Sequence, residues 1–144
     1  MDPEEAGVPC GKGAMKDEAH QNVMVQFEDG ERKELTYLAT PYAHNDADVK
    51  NERFRAVSMA AAYLMSKRRL VLSPISHSHP IKIEGGLPGG WEFWADLDER
   101  FLSVCDRLCV LMLPGWESSV GVREETEIAK RLGLAIEYLN PEEV

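Results

Sequence analysis

Cysteine is scarce. Only Cys10, Cys105 and Cys109 occur in 144 residues, and so sparse and odd a set excludes a disulfide framework. Cys105 and Cys109 fall in the apolar run from Val104 to Leu113 and read as small core hydrophobes. Positive charge is also short, with 16 Lys and Arg against 25 Asp and Glu for a net charge of −9. That balance excludes a nonspecific grip on a nucleic-acid polymer, although a few backbone N–H groups can still hold a phosphate. No apolar run approaches the roughly 20 residues of a membrane span. The first residues lack the charged-then-apolar pattern of a secretory signal. The expectation is a cytoplasmic protein with no membrane partner. There is no internal repeat and no low-complexity segment.

What is present is one domain's worth of chain with an ordinary apolar fraction of 44%. Residues 1–34 stand apart, with nine acids against four bases, and read as an acidic extension whose first 21 residues form a flexible tail. Within it Val23, Val25 and Phe27 alternate with polar residues before Asp29-Gly30, the pattern of a short added strand and a hairpin turn. Residues 35–144 are more regular. Leu35–Thr40, Leu70–Leu72, Leu108–Leu113 and Ala135–Leu139 read as strands, the third apolar enough to be buried and central. Phe54, Val57, Ala61 and Leu64 recur at helical spacing, and further helices are expected near Trp91–Val104 and Gly121–Leu132, the last stopped by Gly133. Alternating strands and helices argue for βαβ units on a parallel sheet. The predicted fold is a flavodoxin-like or Rossmann-like three-layer α/β sandwich with four to five strands and three helices. Ligands of such sheets bind beyond the carboxyl ends of the strands, where the loops 40–48, 73–90 and 114–122 would converge.

The third loop carries the densest set of candidates. Ser118, Ser119 and Gly121 lie where a helix begins, where hydroxyls and free amides can hold a phosphate or a sugar hydroxyl. Capping alone accounts for one serine, but not for Trp116 or the glycine. Glu125 follows Gly121 by about one turn and so shares the loop's face, whereas Glu124 and Glu127 suit an exposed acidic first turn. A glutamate in a pocket can attack an anomeric carbon, and a second carboxylate nearby supplies the acid of glycosidic cleavage. Asp98, on the preceding helix, is the candidate for that role, against a plain solvated surface for Asp98-Glu99-Arg100. His77 and His79 form a metal half-site at most, which no other His or Cys completes; His77 is kept as a contact to phosphate or base. Arg53 could neutralise a phosphate, although a solvated helix face is its default reading.

The strand end YLATPY, the eight-residue step from Asp98 to Asp106, and the run Trp116-Glu117-Ser118-Ser119-Val120-Gly121 leading to Glu125 resemble the nucleoside 2-deoxyribosyltransferase superfamily. Within it the chain is similar to an uncharacterised phage and bacterial group, related to the 2′-deoxynucleoside 5′-phosphate N-hydrolases. The resemblance spans roughly residues 35–139. It implies Glu125 as the nucleophile, Asp98 as its acid partner, Ser119 and Gly121 as the turn that meets a 5′-phosphate, and Thr40, Tyr42 and His44 on the ligand-contacting first loop. The chain departs from the hydrolases in that loop, where Pro41-Tyr42-Ala43-His44 replaces their frequent glycine or arginine.

The implied activity is cleavage or exchange of the N-glycosidic bond of a (deoxy)nucleoside or its 5′-monophosphate, with no metal or organic cofactor. The resemblance also implies a homo-oligomer whose subunits complete each other's pockets. The alternative is a module that binds a nucleotide or nucleotide-derived signal without turning it over.

Overall fold

A computed structural model describes residues 33–144, so the strand and hairpin expected around Val23–Gly30 lie outside the described residues. The unit that spans Glu34–Val144 carries every described element. Its strands are β1 (Leu35–Ala39), β2 (Leu70–Leu72), β3 (Arg107–Leu111) and β4 (Ala135–Leu139). Its helices are α1 (Ala47–Ser66), α2 (Pro74–Gly85), α3 (Trp91–Ser103) and α4 (Val120–Leu132).

The four strands form one sheet in the order β2-β1-β3-β4, and every pairing is parallel. Alternation along the two central strands divides the core. Tyr37, Ala39, Leu108 and Val110 face α3 and α4, where they meet Leu102, Val122, Ile128 and Ala129. Leu38, Cys109 and Leu111 face α1, where they meet Val57, Ala60, Ala61 and Leu64. The result is a three-layer α/β sandwich, as the alternating pattern predicts. The chain leaves β1 toward one edge and returns through β3 on the other side, so the switch point lies between β1 and β3, where the connections depart to opposite faces.

Local chemistry explains the boundaries. The Asp46 carboxylate accepts from the Asp48 N–H and opens α1. Ser119 opens α4 by accepting from the Val122 N–H, and left-handed Gly133 closes it.

One expectation is corrected. The span 73–90 is not a loop throughout, because α2 occupies Pro74–Gly85 and makes four helices in place of three. The signs of its ends are in the sequence: Pro74 in its first turn and Gly86 in the left-handed conformation just past it. Its middle hides it. Pro80 sits inside the helix, where it lacks the N–H that would bond the Ser76 carbonyl, and the apolar residues do not gather on one face. The third strand also ends earlier than expected, at Leu111, because its pairing stops at Val110 with β1 and at Leu111 with β4.

Candidate active site

A cavity of about 100 Å³ opens beyond the carboxyl ends of β1 and β3. Three helices aim side chains into it. On α3, Trp91, Trp94 and Asp98 line it at a spacing of three and four residues, hence from one helical face. From the start of α4 come its N-cap Ser119, then Gly121 and, one turn on, Glu125. On α2 it is Ser78, His79 and Lys82. Ala39, Thr40 and Tyr42 enter from the end of β1.

Glu125 is buried on the apolar stripe of α4, between Val122 and Ile128. The Tyr37 hydroxyl, fully buried on β1, donates to its Oε2. A buried hydroxyl left without a partner costs about 1–3 kcal/mol, so the two side chains fix each other. Removal from water pushes the Glu125 carboxyl up to about 8; the Tyr37 hydrogen bond pulls against that shift, and the Asp98 charge adds to it. Burial likewise raises Asp98 to about 7. Burial first, then the Glu125 and Asp98 charges, holds the Tyr37 phenol well above its ordinary value, so it stays a donor. Burial thus places two carboxyls with raised pKa values on one cavity, and the Asp98 charge acts on Glu125.

Gly121 adjoins this site: a Cβ there would lie at ordinary contact distance, 4.0 Å from Glu125 Oε1 and 3.9 Å from Ser119 Oγ. The doublet Glu124-Glu125 is resolved by geometry, since Glu124 is off the cavity beside Arg123. Thr40 Oγ1 is buried without a hydrogen-bond partner among the described residues, and its residue lines the cavity, so a ligand polar group could satisfy it. Across from it, the Tyr42 hydroxyl lies 2.6 Å from His79 Nδ1, and the His79 ring stacks on Phe54 at 4.3 Å. Burial, then the Lys82 and Lys50 charges, lowers the His79 pKa.

Thr40, Tyr42, Asp98, Ser119, Gly121 and Glu125 therefore meet in one cavity, as the sequence predicts. Five other candidates do not line it. Trp116 packs its ring against Tyr138 at 5.6 Å. The Ser118 hydroxyl turns back to the Gly115 carbonyl. His77 is exposed and meets Phe101 edge-on. It and His79 are two residues apart on a helix, hence on different faces, and among the described residues no group of three or more His, Cys, Asp or Glu could hold a metal ion. Arg53 is a clamp: its guanidinium donates to the carbonyls of Ala43 and Pro114, tying the loop after β1 to the loop after β3. Gly115, at φ +93°, makes room for it, because a Cβ there would meet Arg53 Nη2 at 3.2 Å. His44 accepts from the Asp46 N–H at the rim and lines an adjoining hollow.

Sequence reasoning missed Tyr37 outright and left Ser78, His79 and Lys82 out of the predicted contacts. A signal for Tyr37 existed. It alternates with Ala39 on the face of a central strand, and a buried phenol needs an acceptor.

A family model matches residues 34–140, which include every element that builds the cavity. The chain belongs to the DUF1937 family, a domain of unknown function. No match is found among curated proteins. The cavity of this DUF1937 domain is thus read from its own geometry. No helix among the described residues is long and apolar enough to cross a membrane.

One consequence concerns stability. The folded state keeps the Glu125 and Asp98 protons up to about 8 and about 7, whereas an unfolded chain releases them near 4. The folded chain therefore binds more protons in between. Its stability from these groups is complete below the unfolded values and is lost as pH rises through 7 and 8. Glu125→Gln removes one of the two groups. Its Tm relative to the parent should climb by about 5 °C or more between pH 5 and pH 9, as followed by circular dichroism. A constant difference would contradict a buried, protonated Glu125.

Proposed function

We propose that this DUF1937 chain cleaves or exchanges the N-glycosidic bond of a (deoxy)nucleoside or nucleoside 5′-monophosphate. The observation that carries the reading is the buried pair Glu125 and Asp98, sharing one cavity at the switch point of the sheet, with the Tyr37 phenol bonded to Glu125. Glu125 attacks C1′, forming a glycosyl ester as the C1′–N bond breaks. Asp98, protonated, gives its proton to the departing base. Water then releases the sugar in hydrolysis, and a second base accepts it in transfer. The Tyr37 O–H steadies the Glu125 carboxylate in the free state and as the ester's leaving group. Trp91 and Trp94, half-buried on the cavity wall, offer flat apolar surfaces for a base.

The test is incubation with a panel of nucleosides and 5′-monophosphates, with and without a second free base, read by chromatography. Free base alone marks hydrolysis, and a new nucleoside marks transfer. Ligand binding without product would replace the reading with that of a binding module. Exposed Ile81, Ile83 and Phe93 on α2 and α3 support the further expectation of a homo-oligomer. Light scattering should give twice the chain mass or a multiple of it, and a monomer at micromolar concentration would contradict this.

A further inference from the structure

Next to the main cavity lies a second hollow of about 330 Å³. The two share Tyr42, Ala43, Lys82 and Gly90 as lining and so adjoin each other. Lys50 from α1 and Lys82 from α2 both line the outer part. Two cationic side chains thus face one hollow, and burial, followed by the Lys50 charge, lowers the Lys82 pKa. The side chain of Lys82 is held in place. Its Nζ lies over the Tyr42 ring at 5.6 Å, and a Cβ at Gly89 would come within 3.3 Å of its Cε.

Two like charges side by side are unfavourable unless an anion bridges them. Among the described residues, the ion pairs engage Arg69, Arg107, Arg123, Lys130 and Arg131, and none engages Lys50 or Lys82. The carboxyls that line the two hollows, Asp98 and Glu125, belong to the inner cavity. The outer end is thus cationic and uncompensated, while the inner end is acidic.

We propose that Lys50 and Lys82 bind a phosphoryl group of the substrate, so that a nucleoside 5′-monophosphate is preferred to the bare nucleoside. The identity of that substrate rests on the N-glycosidase reading above. The competing anion site is the start of α4. There the Val122 N–H is already given to the Ser119 hydroxyl oxygen and is not free for an anion, and Gly121 adjoins the Glu125 carboxylate. A phosphate at that turn would face the charge that Glu125 must carry to attack. At the lysines it faces two cations instead.

Inorganic phosphate is the probe that separates this site from turnover. Phosphate titrated into the full chain should bind, the double variant Lys50→Met/Lys82→Met should lose that binding, and Lys82→Arg should keep it. In turnover, Lys82→Met should lower the kcat/KM ratio of monophosphate to nucleoside by about 10- to 100-fold, the scale of one charged hydrogen bond. No phosphate binding by the parent chain overturns the site. So does binding by the double variant equal to the parent's, or loss of binding in Ser119→Ala. If phosphate binds through the lysines but the panel releases no base, the anion site stands and the glycosidase reading falls. If base is released while the double variant binds phosphate like the parent, the reverse holds.

Discussion

Glu125→Gln should lower turnover by a factor on the order of hundreds or more, with fold and ligand binding kept. An amide of the same size still accepts the Tyr37 hydrogen bond, so the buried contact that fixes the side chain survives. What disappears is the nucleophile, because a neutral amide does not form the glycosyl ester. Glu124→Gln is the control, since Glu124 lies off the cavity against Arg123, and it should change turnover less than about twofold, as surface changes do. Steady-state kinetics on any substrate of the panel, beside titration of the same ligand into both variants, separates lost chemistry from lost binding. Full activity in Glu125→Gln would remove Glu125 from the reaction.

Activity should follow a bell-shaped pH profile with its maximum between about 7 and about 8, the values to which burial raises Asp98 and Glu125. Only the singly protonated pair holds both a nucleophile and an acid, and the reaction runs through its form with the proton on Asp98, the minor one where Glu125 is the more strongly raised of the two. Below about 7 the pair is doubly protonated and Glu125 cannot attack. Above about 8 it is doubly ionised and no proton reaches the base. Asp98→Asn should abolish the alkaline limb, because an amide has no proton to lose there. The one limb that remains should then report Glu125 alone, without the Asp98 charge that helps to raise it. The loss in kcat should be about 10²- to 10⁴-fold, the usual worth of general acid catalysis, and largest for substrates with poor leaving bases. A profile of kcat/KM that stays flat from pH 6 to pH 9 would contradict the pair.

Much of this arrangement is legible in the sequence, and physics separates the legible part from the rest. LTYLA and LCVL are short apolar runs between turn residues, so both read as strands and the more apolar LCVL as a central one from composition alone. Glu125 and Asp98 each interrupt the apolar stripe of a helix. A charge at such a position is either misplaced or functional, and spacing is enough to find it. Helix α2 defies the same method, because Pro80 and a spread of isoleucines and histidines erase the one-sided pattern on which periodicity depends. The roles of Arg53 and Trp116 are beyond local reading for another reason. The acceptors of Arg53 lie 10 and 61 residues away, and Trp116 meets Tyr138 on β4. Lys50 and Lys82 meet only because α1 and α2 flank the same rim, and separately each is an ordinary surface lysine.

The most direct test of the mechanism is to look for the covalent intermediate. A panel substrate carrying fluorine at C2′, which slows release of the sugar by destabilising positive charge at C1′, should be mixed with the protein and quenched in acid. The digest should then be mapped by mass spectrometry. The account predicts a peptide heavier by one glycosyl group, with the added mass on Glu125, and no such species in Glu125→Gln. Base release with an unmodified Glu125, or the added mass on Glu124, would contradict it.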